Sequence, residues 1–389
     1  MAWCALVAPG VADAASAWQR IAPGVTYRQF DIPAAGGTAR AHLLVVDLRD
    51  GRVTAGLLHP GVVAARATVS ALADGVGAVA AVNGDFFNIS ETQHPGVEAT
   101  GAPVGPAVAG GRALKAAVPD GQRFGPALPP GTSTREVLGV GADGRARLGR
   151  LELAGEVVVP GDRIPLAGLN QYALPVGSVG AFTSRWGEVS RVRATCGTDT
   201  DRGAPCSGDT YEVTVRGGRV VSVATAPGRG PIAAGTTVLV GREAGAARLR
   251  GLLPGDRVTV RHRLVAAGTW VPYRFAVGGY PVLRGGEPLA GLDTVASAVR
   301  SAAGIADGGR RLLLLALDGG AAFRTGLTIA ELAAVMAEAG AVDAFSLDGG
   351  GSSTLVARDP GASAVTVRNH PSGGAQRPVP NGIGVFVRS

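Results

Sequence analysis

Two apolar runs, RLLLLALDGG (311–320) and DAFSLDGGGSSTLV (343–356), each reach an aspartate followed by glycines, and the clearest helix signal of the chain lies between them. Each run is short and apolar, as a buried strand is. Between them, Ile329, Leu332, Val335 and Met336 share one helical face. Thr328 and Glu331 are spaced for a capping box, Leu327 and Leu332 for the hydrophobic staple, and Gly340 supplies a stop. Strand, helix and strand read as a βαβ crossover, whose two strands run parallel. That would bring Asp318 and Asp348 to one sheet edge. The expected fold class is α+β: a mixed β-sheet core with a βαβ unit near the C-terminus and a β-rich middle section.

A third run, GAVAAVNGDFF, ends at Asn83-Gly84-Asp85. If the three strands share one sheet, Asn83, Asp85, Asp318 and Asp348 gather at one edge, where ligands bind in open α/β sheets. The plainer alternative is that Asp-Gly and Asn-Gly simply stop strands. Gly349, Gly350 and Gly351 have no Cβ, which leaves backbone N–H groups free to face an anion. The hydroxyls of Ser352 and Ser353 follow directly.

The rest of the chain is mostly strand signal. Trp18 to Leu58 is rich in β-branched and aromatic residues. Thr68 to Ala73 suggests a short helix. Asn88 to Gly110, with His94 and Glu98, reads as a long loop beside the site. From Arg112 to about Val265 the chain turns β-rich, with a hairpin signal in YEVTVRGGRVVSVAT around Gly217-Gly218. Residues 18–389 are read as one domain, with 112–265 an elaboration or a subdomain. The polar segment from Asn369 through Arg377 precedes a last strand, GIGVFV.

Composition narrows the function. Apolar residues make up 46 % of the 389 positions, which excludes disorder. The net charge of +7 is carried by arginine, with Lys115 the only lysine. The arginines are scattered, with no basic helix, so the surface suits anionic substrates and does not read as a nucleic-acid binder. Residues 1–17 are small and apolar and end in Ala15-Ser16-Ala17, an export-signal pattern lacking a basic start. No other run is long enough to span a bilayer. Cys196 and Cys206 close a short polar loop, as a disulfide in an oxidising compartment does. Asp199 and Asp201 within it resemble the start of a calcium loop, but the later ligand spacing is missing.

Together these motifs resemble the phosphodiester glycosidase family: AVNGDFF, FAVGGYPVLRGGEPL, AVRSAAGI around Arg300, LALDGG, the stretch from GLTIAELAAVMAEAG through DGGGSSTLV, and NHPSGGAQRPVPNGIGVFV. The likeness runs from about Val25 to the end. It differs where Asp85 replaces the family's usual glycine and Gly320 its usual arginine. The resemblance implies a hydrolase that cleaves the sugar C1–O bond of a glycosyl-1-phosphodiester; with the export-signal pattern, the expectation is a secreted enzyme acting on cell-wall or exopolysaccharide material. Such chemistry wants two carboxyl groups, for which Asp318 and Asp348 are the candidates. Asn83, Asp85, Arg300, Gly349, Gly350, Gly351, Ser352, Ser353, Asn369 and Arg377 are the candidate substrate contacts. A calcium or magnesium ion is a candidate cofactor, since hard cations prefer oxygen ligands. Two alternatives stay open: a non-catalytic wall- or polysaccharide-binding protein on the same scaffold, and a phosphodiesterase that cuts P–O instead.

Overall fold

The computed structural model describes residues 17–388. The signal-like segment, apart from Ala17, and Cys4 lie outside the described residues. Within them, the strands form sheets of eight, eleven and five strands.

The eight-stranded sheet explains the apolar runs. Its central strands are Gly37–Asp47, Arg311–Leu317, Ser301–Ala306, Asp343–Leu347 and Tyr280–Arg284, in that spatial order. Leu313, Leu315 and Leu317 pack into one core, and Leu312, Leu314 and Ala316 into another on the opposite face. A strand buried on both faces has no polar alternation to show, and that is why RLLLLAL reads as an unbroken run. The Ile329–Glu338 helix covers the first face with Ile329, Leu332, Val335 and Met336. Its capping box is present: Glu331 N donates to Thr328 Oγ1 at 3.1 Å, and Thr328 N donates to Glu331 Oε2 at 2.8 Å.

The strands on either side of this helix are not neighbours. Both pair antiparallel with Ser301–Ala306, which lies between them, so they share a direction without touching. The expectation of one sheet for all three glycine-ended strands is also corrected. Ala80–Asn83 belongs to the five-stranded sheet, between Leu355–Arg358 and Gly382–Val387. The chain leaves the first sheet after Leu347, turns through Gly350–Ser352 and enters the second sheet beside Ala80–Asn83. The Asp348 turn is therefore the junction of two sheets.

The strands that begin within 112–265 all lie in the eleven-stranded sheet, together with Ala107–Ala109 and Tyr273–Gly278. Thr210–Arg216 and Arg219–Ala224 form the expected hairpin. Its turn residues, Gly217 and Gly218, both have positive φ (57° and 74°), a conformation in which a side chain would be strained. The short helix is Val69–Gly75, capped by Thr68. Cys196 and Cys206 are joined by a disulfide, as the sequence suggests. Among the described residues no helix is long and apolar enough to cross a membrane.

Candidate active site

Register brings the two aspartates to one edge. Ser301 pairs with Ala316 on one side and with Leu347 on the other. Asp318 and Asp348 thus leave the sheet at the same end, on strands two spacings or roughly 10 Å apart. One loop serves both. At one end of it, His370 N donates to Asp318 Oδ1 at 2.7 Å. At the other, Arg377 Nη1 donates to Ser352 Oγ at 3.3 Å, beside Asp348. Asn369 fixes that loop: its Nδ2 donates to Leu317 O and Ser353 O, and its Oδ1 accepts from Leu355 N.

The two carboxyls live in different surroundings. Asp318 is 1 % exposed. Its Oδ1 lies 2.9 Å from His42 Nε2, and Tyr27 Oη lies 2.8 Å from His42 Nδ1. Because the carboxylate can only accept, His42 donates to it from Nε2. Burial works to raise the Asp318 pKa, but hydrogen bonds from His42 and from the backbone of His370 outweigh it and hold it below the ordinary value. His370 Nδ1 stands 3.3 Å from Asp318 Oδ2, and its ring is 78 % exposed.

Asp348 is half-buried and goes the other way. Burial pushes its pKa up to about 6, against the hydrogen bond from Ser352, the charge of Arg377 and the amide of Gly349. Asp85 is buried close by and is likewise pushed up by burial, with Lys115 opposing and Asp348 adding to the rise. Asp85 Oδ2 accepts from Gly105 N at 2.6 Å, and its Oδ1 has no partner among the described residues. Lys115, fully buried, donates to the carbonyls of Val104, Gly105 and Ala116. Burial pushes its pKa down.

Several expected substrate contacts prove to be tied to the protein. Asn83 Nδ2 donates to Asp348 O, and its Oδ1 accepts from Ser301 Oγ and Thr354 N. Arg300 is buried and gives Nε to Leu327 O and Nη2 to Ala296 O, so it pins a neighbouring loop. The amides of Gly349, Gly350 and Ser352 are a correction to the expected anion cradle. Gly349 N bonds Asp348 Oδ1, Gly350 N bonds Val299 O, and Ser352 N and Ser353 N close the turn onto Gly349 O and Gly350 O. Ser353 Oγ is buried without a partner among the described residues. Gly351 lies against Arg377, where a Cβ would come within 2.5 Å of Nη2.

Four candidate residues were missed in the sequence. His42 and Arg123 carry no local motif, and His370 stands in the NHPSGG motif without having been singled out. Arg123 comes from a distant segment, yet its charge acts on both Asp85 and Asp348. Lys115 did have a signal, as the only lysine of the chain. A calcium or magnesium ion does not fit this donor set: Asp348 is opposed by Arg377 and Arg123, and Asp85 by Lys115. Among the described residues the one metal-like grouping is His94 with Cys196 and Cys206, whose sulfurs are spent on the disulfide.

Comparison with known proteins gives a family likeness over the C-terminal part of the chain. Residues 209–386 match the phosphodiester glycosidase family. The match covers the Asp318 and Asp348 strands, the connecting helix and the His370–Arg377 loop. Asn83, Asp85, Lys115 and Arg123 lie before it. The fold is shared with a hypothetical protein from Synechocystis, at 20 % identity and a TM-score of 0.70, over 94 % of this chain. This chain spans 62 % of the length of that relative. A Burkholderia pseudomallei protein described as exported matches at 23 % identity and a TM-score of 0.73, over 97 % of each chain. The catalytic domain of the zebrafish phosphodiester glycosidase N-acetylglucosamine-1-phosphodiester alpha-N-acetylglucosaminidase aligns with 97 % of this chain and 89 % of its own, at 15 % identity and a TM-score of 0.46. No curated protein matches.

Proposed function

We propose that the protein hydrolyses a glycosyl-1-phosphodiester at the sugar C1–O bond, releasing sugar and a phosphomonoester. The observation that carries this reading is the opposite displacement of two acids at one sheet edge, Asp318 held ionised and Asp348 held protonated up to about pH 6. Pairs of carboxyls pushed apart in this way divide into acid and base roles. Asp348 gives its proton to the departing phosphate oxygen as the C1–O bond breaks. Arg377, beside Ser352, meets the phosphate charge. Asp318 is too buried to touch a sugar, so it orients His370, whose exposed imidazole takes the proton of the water that attacks C1.

Export belongs to the same proposal. The A-x-A pattern, the disulfide and the description of the Burkholderia relative as exported all support it. A glycosyl-phosphate in wall or exopolysaccharide material is then the substrate class.

Hydrolysis of a panel of hexose-1-phosphate methyl esters in ¹⁸O-labelled water tests the reaction. Label in the sugar is the expected outcome. Label in the phosphate would mean P–O cleavage, and wall binding without any release would favour a non-catalytic role.

A further inference from the structure

We infer that Arg123 selects the anionic group of the substrate at this site, and that the loop closed by Cys196–Cys206 holds it there. The inference rests on the reading of the site as a phosphodiester glycosidase centre.

The Arg123 guanidinium lies 5.3 Å from the ring centroid of Phe86 and 5.7 Å from that of Tyr280. The two rings are themselves stacked, 5.7 Å apart and 19° from parallel. Its Nε is buried and has no hydrogen-bond partner among the described residues. A guanidinium held over aromatic faces keeps its N–H edge for a ligand, and its planar fork suits two phosphate oxygens. Its charge already acts on Asp85 and Asp348. Both carboxyls are pushed towards the neutral form, which leaves the cation for an incoming phosphodiester.

The backbone that presents Arg123 is fastened to the disulfide loop. Gly121 N donates to Asp199 O at 3.0 Å, and a Cβ on Gly121 would sit 2.4 Å from that oxygen. Gln122 Nε2 donates to Thr198 O at 2.5 Å and to Asp201 O at 3.2 Å. Arg202 Nη1 donates to the carbonyl of Arg123 itself at 2.8 Å, while its guanidinium lies 4.1 Å from the Phe124 ring centroid. All these partners lie between the two cysteines. Opening the disulfide removes the covalent closure of this loop, and the consequence falls on where Arg123 points.

The test uses the full chain and the methyl phosphodiesters of glucose 1-phosphate and N-acetylglucosamine 1-phosphate, with binding read by calorimetry and turnover by sugar release. Arg123→Gln is expected to weaken binding and raise KM about tenfold or more, with a smaller effect on kcat, and Arg123→Lys to recover part of the loss. The Cys196→Ser/Cys206→Ser variant, checked for an intact thermal transition, should raise KM in the same direction. Added to Arg123→Gln it should raise KM little further, because both changes remove one interaction. Unchanged affinity in Arg123→Gln, or effects that multiply in full, would overturn the inference. If the wild type binds these esters but releases no sugar, the hydrolytic reading fails while Arg123 is still judged on binding. If it binds none, both fall.

Discussion

The side-chain amide of Asn83 donates to the main-chain carbonyl of Asp348 at 2.7 Å, across the junction of two sheets. Its own carbonyl oxygen takes the Ser301 hydroxyl at 2.7 Å and the Thr354 amide at 3.1 Å. One fully buried side chain thus fixes the turn that carries Asp348 to both sheets it joins. Asn83→Ala leaves three buried groups without partners, at about 1–3 kcal/mol each if water does not reach them. A loss of roughly 2–5 kcal/mol in urea unfolding is expected. A loss below about 0.5 kcal/mol would mean that the turn holds itself.

Asp348→Asn removes the proton donor and keeps the shape. Turnover should fall by about 10²-fold or more. In the wild type, kcat should decline as pH rises through about 6, since Asp348 gives up its proton there. A wild-type profile flat from pH 5 to 8, with an Asn variant of full activity, would remove Asp348 from the chemistry.

The same residue predicts an acid-side stability change. The Asp348 pKa is raised in the folded state, from 3.8 to about 6. Between those values the folded protein holds a proton that the unfolded chain has released, so its contribution is fully present below about pH 4 and is lost as pH rises through about 6. Thermal melts at closely spaced pH values should show the wild type losing ground to Asp348→Asn over that window. A wild-type-minus-variant difference that does not change from pH 4 to 7 would contradict the raised value.

The Asp318 strand, the helix and the Asp348 strand were legible because their signals are local. The Thr328–Glu331 cap and the Leu327 and Leu332 positions lie within one turn of the helix start. The disulfide and the Gly217-Gly218 hairpin were legible for the same reason. What escaped is what depends on long-range pairing. Nothing near Asn83 says that its strand joins a second sheet, since Leu355 and Ile383, which pair with Val82, supply the partners from far along the chain. His42 meets Asp318 because the Gly37–Asp47 strand pairs with Arg311–Leu317, a register with no trace in either segment alone. Likewise, the glycines after Asp348 suggested free amides, and only the packed turn shows those of Gly349 and Gly350 used.

If Asp318 works through His370, the two should fail together. His370→Ala and Asp318→Asn are each expected to lower kcat, and the double variant should cost little more than the worse single one, as residues acting as a unit do. Asp318→Asn should also lower stability, because the buried His42 and the His370 amide then meet a neutral amide oxygen in place of a carboxylate. His370→Ala, on an exposed ring, should leave the melting temperature within a few degrees. Full activity in His370→Ala would assign Asp318 to the fold alone.

Gly351 offers a way to move Arg377 without deleting it. A Cβ at position 351 would lie 2.5 Å from Arg377 Nη2 and 2.7 Å from Cζ, too close for the guanidinium to stay. The obstacle is the end of a flexible side chain, so the backbone need not shift and the protein should fold. Arg377 would have to leave its place beside Ser352 and Asp348. With that cation displaced, the Asp348 pKa should rise further, because the Arg377 charge now works to lower it. Gly351→Ala should therefore raise KM for a phosphodiester by about tenfold, one charge-assisted hydrogen bond in scale. It should also extend the pH range over which kcat is sustained to higher values. A shift of that limb to lower pH, or a KM equal to that of the wild type, would show that Arg377 does not face the phosphate.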